Sequence, residues 1–298
     1  MEAKEQKRKV ALIVDSSCDL PIEIIEKYRI IVVPISIMFP NETRTQYIDI
    51  SSAEFFELLV EKDLPASTGV PPPKRFLEAF ERALEQSDEV LMLTLSNDLS
   101  GIHQSAKLHA KKFTDNKVTV VDVRTTTLAF GLIAYKVAQL IEQGSTKAQI
   151  LDRLQNKFIP NSRLNAFVGN LKYLKRSGRI ATLQHLLGEL FQFKPLIAIE
   201  DGKIISPRRF RGDKAKLRYL KSLGERLVEA LPEHETIIIA HSRNVAAAEE
   251  IATHLRKFMP TKSLELLVWE IGPAIGVHVG PGALGLTWIG PHPDDLLK

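Results

Sequence analysis

A single cysteine, Cys18, stands in a chain of 298 residues. One thiol excludes an internal disulfide framework and a cysteine-only metal site, and it fits a reducing compartment. No apolar run reaches the ~18 residues of a membrane span. The opening MEAKEQKRKV is charged and has no apolar h-region, so the chain reads as cytoplasmic rather than secreted. The short motifs that fix common chemistries are missing too. There is no GxxxxGKS/T phosphate loop, no HExxH zinc helix and no GxSxG nucleophile elbow. The histidine of PEHETI has no partner one helical turn on, and the six-residue spacing of His103 and His109 puts them on different helix faces. GPGALG, from Gly280 to Gly285, matches GxGxxG in letters. Pro281 occupies the turn, however, and no βαβ unit fits after it, so it is no dinucleotide fingerprint.

What is present is ample apolar material. Hydrophobic residues make up 44% of the chain and charged residues 26%, enough for a core under a soluble surface. The length suggests roughly two domains at ~100–200 residues each. The net charge of +4 comes from 40 basic residues dispersed among 36 acidic ones. That dispersal favours a solvated surface over a nucleic-acid stripe. Only PRRFRGDKAKLR, from Pro207 to Arg218, is dense enough to meet an acidic partner.

Strand and helix periods alternate along the first half. KVALIVDSS and VLMLTLS read as buried strands, and KVTVVDV as another. RIIVVPISIMF reads as one further strand. Phe76, Leu77, Phe80, Ala83 and Leu84 recur at helical spacing after Pro73, and Thr127 to Glu142 is a long apolar helix. The alternation implies a mostly parallel sheet covered on both faces. A second α/β unit begins near Asn161. In it LKYLKRSGRIATLQHLLGELF reads as two short helices broken at Gly178, and Asp-Gly in IAIEDGKII reads as a hairpin turn. The expected organisation is a disordered tail over 1–8, an N-terminal parallel-sheet α/β domain over 9–160, and a second α/β domain with a mixed sheet over 161–298.

Hydroxyls collect where strands end. Asp15, Asp19 and Asp122 occupy strand ends as well, where carboxylates commonly cap the next turn. Thr68 lies just before the Pro73 helix, and Ser96 and Ser100 flank the turn after VLMLTLS. In open parallel sheets ligands gather at the carboxyl ends of strands, and a helix N-terminus offers free N–H groups. Ser100 followed by Gly101 therefore reads either as an N-cap or as an anion site that the backbone approaches closely. Thr68 alone is equally a loop or cap residue. His278, between apolar neighbours in IGVHVGPGAL, is either a hydrogen-bonded core residue or part of the same site.

Several segments together resemble the DegV family. LIVDSSCDLP resembles its opening strand and turn, STGVPPPKRF its TSQPS-x-x-x-F segment, and LTLSNDLSGIHQSA its LSSxLSGTYQSA segment. VGNLKYLKRSGRI, KPLIAIEDGKI, FRGDKAKL and GPAIGVHVGPGALGL follow in the family's order. The resemblance implies a DegV-like pair of α/β domains, with the Gly-rich end returning to the ligand site. It implies a lipid-binding carrier for a long-chain fatty acid, not an enzyme. A separate ATP-dependent fatty acid kinase subunit then makes the acyl phosphate for bacterial phospholipid synthesis. The carboxylate would be held by Thr68 and Ser100, with His278, Ser96 and Gly101 close by. No cofactor, metal, nucleic acid or stable membrane insertion is implied. Two departures bear on the pocket: TSQPS becomes Thr68-Gly69-Val70-Pro71-Pro72, and SGTYQ becomes Ser100-Gly101-Ile102-His103-Gln104. Both keep the hydroxyls and alter the surroundings, which bears on chain preference. KRSGR places Lys175, Arg176 and Arg179 around Gly178. It reads as a solvated loop or, through Arg176 and Arg179, as an electrostatic contact with the kinase. Two other functions compete: a small-molecule hydrolase or transferase built on Thr68, Ser100 and His278, and a nucleic-acid binder supported only by a pI of about 9.0.

Overall fold

Strands that are apolar on both sides demand cover on both faces, and the architecture supplies it. The computed structural model describes residues 8–179, 193–259 and 263–296. The first half runs β1 (Arg8–Asp15), α1 (Ile22–Lys27), β2 (Ile31–Val33), β3 (Ser36–Met38), β4 (Thr43–Thr45), α2 (Ser52–Phe56), β5 (Ser67–Gly69), α3 (Pro73–Gln86), β6 (Ser87–Thr94), α4 (Ile102–Ala110), β7 (Val118–Asp122), α5 (Thr127–Glu142) and α6 (Lys147–Arg153). The second half runs β8 (Ser162–Phe167), α7 (Lys172–Arg176), β9 (Lys194–Pro195), β10 (Ile197–Glu200), β11 (Lys203–Ile205), β12 (Arg209–Phe210), α8 (Asp213–Ala230), β13 (Thr236–His241), α9 (Val245–Arg256), β14 (Glu265–Glu270), α10 (Pro273–Val279), β15 (Leu284–Ile289) and α11 (Pro293–Leu296).

Among the described residues, a parallel sheet has the order β2-β1-β6-β7. A mixed sheet has the order β11-β10-β8-β15-β13-β14, with only β13 and β14 parallel. β4-β3-β5 form a small antiparallel sheet. Helix α3 covers β1, β2 and β6, while α5 packs on β1 and also on β8, β13 and β15. Eleven of the 16 residues of α5 are buried, the mark of a helix enclosed by core on all sides. In β13 the alternation divides two cores: Ile238 and Ala240 join the one around α5, while Ile237 and Ile239 join the one under α8 and α9. On α3 the stripe expected from spacing is the buried face, with Phe76 and Phe80 fully enclosed. Each such ring stabilises by about 1.5–3 kcal/mol.

The segment expected as one strand, RIIVVPISIMF, is two. Pro34 has no N–H for a ladder, so β2 stays in the parallel sheet and β3 pairs antiparallel with β4 and β5. Asp201 and Gly202 make the expected hairpin turn between β10 and β11, with φ of 48° and 84°. Arg8, counted with the tail, already pairs with Ser87. Residues 1–7 and the helix expected after Gly178 lie outside the described residues.

Three segments remote in sequence meet at one buried carboxylate. Asp19 Oδ1 accepts from the Gly272 N–H at 3.0 Å, just before α10, and Oδ2 accepts from Thr127 Oγ1 at 2.8 Å, at the start of α5. Gln46 adds a parallel tie, donating through Nε2 to Ser16 O at 3.1 Å and accepting through Oε1 from the Ala274 N–H at 2.9 Å. Thr127 has φ 50°, a conformation that a β-branched residue adopts only under constraint. Burial pushes the Asp19 carboxyl up to about 7, against the hydrogen bonds from Thr127 and Gly272 that lower it. A raised folded-state value means that this contribution to stability is complete below the unfolded value and is lost as pH rises through about 7. Asp19→Asn, neutral throughout, removes the loss. Between pH 5 and 8 the wild type should therefore lose on the order of 2–3 kcal/mol relative to Asp19→Asn, read from urea midpoints. Parallel pH profiles would refute this.

Candidate functional site

The chain leaves β1 toward β2 and then returns to the other side of β1 as β6, so the strand order switches sides at β1 while all four strands stay parallel. Crevices of this kind open at the carboxyl ends of strands. Asp15, fully buried, ties together the strand ends behind this one. Its Oδ2 accepts from the Leu95 N–H at 2.9 Å, joining the ends of β1 and β6, and its Oδ1 accepts from the Ser17 hydroxyl and N–H. Burial raises the Asp15 carboxyl to about 6. Each strand end then sends a hydroxyl forward: Ser17 after β1, Ser100 after β6 and Thr126 after β7. All three line one cavity.

Thr68 reaches the same cavity from the edge of the small sheet, where it pairs opposite Ile37. Helix α10 packs on β3, β5 and α2 and carries His278, whose Nε2 lies 3.1 Å from Thr68 Oγ1. The glycines of this segment serve close packing rather than phosphate. A Cβ on Gly276 would stand 2.7 Å from the Phe55 ring, and at Gly280, with φ 66°, it would run into the Tyr173 ring. Burial holds the His278 imidazole well below its ordinary value, at about 3, with the charge of Arg179 adding to the effect. The ring is neutral at pH 7, and its buried Nδ1 has no hydrogen-bond partner among the described residues.

The cavity holds about 160 Å³. Thr68, Ser100, His278 and Arg179 supply its polar side. Leu164, Ala166, Ile197, Ile199 and Ile204, from β8, β10 and β11, make a continuous aliphatic wall.

The sequence expectations map onto it unevenly. Thr68, Ser100, Gly101 and His278 are brought together, and the Val70 methyl lies 3.6 Å from where a Cβ on Gly101 would stand. Ser100 is not the N-cap of α4. Gly101 holds that position, and the Ser100 hydroxyl accepts only a long 3.4 Å bond from the Ile102 N–H. Ser96 does not line the cavity. Its hydroxyl donates to Gly202 O at 2.7 Å, docking the β10–β11 turn onto the first half. Arg176 is exposed and away from the cavity, whereas Arg179 lines it. Sequence reasoning missed Ser17, Thr126 and Thr127. The run of three threonines between β7 and α5 carried the same signal as Ser100, a hydroxyl between a strand end and a helix start.

A parallel sheet and a mixed sheet around an apolar cavity with a hydroxyl-bearing side define a two-sheet α/β protein. The chain belongs to the DegV family: the family model described as "Uncharacterised protein, DegV family" matches residues 9–290. A DegV domain-containing protein of Deinococcus radiodurans is 32% identical over 279 residues, covering 93% of this chain and 97% of that one. The solved structure of a fatty-acid-binding DegV family protein from Thermus thermophilus matches with a TM-score of 0.86 at 28% identity, covering 95% of this chain and 100% of that one. The fatty acid binding protein DegV of Bacillus subtilis matches with a TM-score of 0.83 at 26% identity, with the same coverage.

The depressed His278 value has a direct check. In long-range ¹H–¹⁵N spectra the His278 nitrogens should keep neutral-imidazole shifts from pH 8 down to 5. A protonation midpoint near the ordinary value, about 6.5, would contradict the burial described. Thr68→Val should remove the one hydrogen bond to the ring and lower stability by about 1 kcal/mol.

Proposed function

We propose that this protein is a cytoplasmic carrier that binds a long-chain fatty acid and presents it to a separate ATP-dependent kinase subunit, which forms the acyl phosphate. The observation that carries the reading is the composition of the cavity, hydroxyls and one guanidinium on one side and aliphatic wall on the other. Its similarity to proteins that bind fatty acids supports the same ligand class. A carboxylate taken out of water needs charge-assisted hydrogen bonds to offset its desolvation. Thr68 and Ser100 donate them. A neutral His278 with its N–H on Nε2 donates to Thr68 Oγ1, which leaves the Thr68 O–H free for the carboxylate. Arg179 supplies the charge. The alkyl chain needs only apolar surface, at about 0.8 kcal/mol per buried CH₂. Among the described residues no helix is long and apolar enough to cross a membrane.

The contact between Thr68 and His278 also has the form of a nucleophile beside a base, which favours acyl transfer as a second reading. Two features oppose it. Among the described residues the Nδ1 of His278 has no carboxylate to orient it, and an imidazole held near 3 is a poor base at pH 7.

Freshly purified protein should release fatty acid on solvent extraction, in a molar ratio near one by native mass spectrometry. If none is released and none binds in a displacement assay, the carrier reading is wrong. Thr68→Ala or Ser100→Ala removes one charged hydrogen bond, about 1.5–3 kcal/mol, while the chain contributes more. Both variants should retain lipid and lose at least tenfold in kinase-dependent turnover, because a misplaced carboxylate sits badly for attack on ATP. Normal turnover would remove that residue from the site. Arg176→Ala should slow turnover at low salt without emptying the cavity. Arg179→Ala should weaken binding as well.

A further inference from the structure

We propose that Leu164 and Ile199 set the length of acyl chain that the cavity accepts, by walling it off from a second cleft; this rests on the fatty-acid reading above. The mixed sheet is incomplete at this point. β8 pairs with β15 along its whole length, from Ser162 to Phe167, but with β10 only at Asn165 and Ala166. Beyond Asn165 the two strands have no ladder between them. Leu164 and Ile199 fill the gap with side chains, in one apolar cluster.

Behind them lies a cleft of about 660 Å³. Leu164 and Ile199 line both the cleft and the cavity. The backbone at the end of β7 continues the partition, with Thr125 on the cleft side and Thr126 on the cavity side. The cleft is wide and mixed in character: Arg124, Arg163, Glu200 and Asp201 line it beside Ile159, Leu196 and Ala198.

Size makes this partition decisive. A cavity of 160 Å³ is comparable to the ~150 Å³ apolar void that holds a single benzene. A long alkyl chain therefore has to press outward. Its carboxylate is directed to the hydroxyl side, so the chain runs toward the aliphatic wall of β8, β10 and β11. At Leu164 and Ile199 that wall is backed by open space rather than by packed core. Each methylene kept on the apolar side improves affinity roughly fourfold. One pushed beyond enters a much wider cleft lined in part by charged side chains, where it is poorly enclosed and gains little. The partition is thus where added length stops increasing affinity.

The test is displacement of a fluorescent fatty acid by saturated fatty acids of increasing length, on delipidated wild type, Leu164→Ala, Ile199→Ala and Leu164→Phe. The two truncations should move the best-bound length up by roughly two carbons, an order-of-magnitude gain for the longer acids. Leu164→Phe should move it down. Circular dichroism confirms folding. If Leu164→Ala does not fold, Ile199→Val removes a single methyl and carries the same expectation at smaller size. An unchanged length preference across the folded variants, with normal binding by wild type, would overturn the partition and leave the fatty-acid reading intact. No binding by wild type at any length would overturn both.

Discussion

The arrangement of the helices around the cavity depends on the carboxyl group of Asp19. It sits just past β1, yet its two oxygens hold the first turn of α5 and the residue ahead of α10. Those helices bear Thr127 and His278. Without the acceptor at Oδ2, the left-handed conformation of Thr127 would have no compensation, and the start of α5 would relax away from the crevice. Without Oδ1, the Gly272 N–H would be buried with no partner. The same group is expensive to ionise where it lies, so the clamp works through neutral hydrogen bonds more than through charge.

Around that clamp the site divides its tasks by chemistry. The parallel sheet contributes short hydroxyl side chains at strand ends, which are rigidly placed and weakly acidic. The mixed sheet contributes branched aliphatics, which exclude water without specifying partners. The imidazole of His278 belongs to neither group. Buried and neutral, it is a fixed dipole that turns the Thr68 hydroxyl in one direction. The polar side of the cavity thus draws on both halves of the chain, Thr68 and Ser100 from the first and Arg179 and His278 from the second, while the aliphatic wall of β8, β10 and β11 comes from the second alone.

The sequence made most of this architecture legible, for physical reasons that also explain the failures. Short apolar runs such as VLMLTLS, bounded by turn residues, fit strands covered on both faces, and the Phe76–Phe80 spacing fits a buried helix face, so these sheets and helices were readable from length and period together. Pro34 was visible, but its effect was missed because apolar residues on both sides masked a change of sheet. Thr68, Ser100, Gly101 and His278 were readable from strand-end position and family resemblance together, although β5 and α10 meet only in three dimensions. Ser96 carried the same local signal as Ser100. Its true partner, Gly202, lies 106 residues on, and no local pattern encodes that. Arg179, read with Arg176 as part of a solvated loop or a docking contact, is exposed and also lines the cavity, a position that no local pattern encodes.

The enclosure of α5 by both sheets bears on how the protein is made. Its companions β8, β13 and β15 all follow it in the chain. Translation delivers the helix roughly 150 residues before the last of them, on the order of 7–30 s at ~5–20 residues per second. Throughout that interval Leu128, Phe130, Leu132 and Ile133 belong to a nascent chain with half of its cover unwritten. The first half, though its parallel sheet is complete by β7, is not a unit that closes on its own. Synthesis of this protein therefore leaves a long apolar helix without half of its cover for seconds.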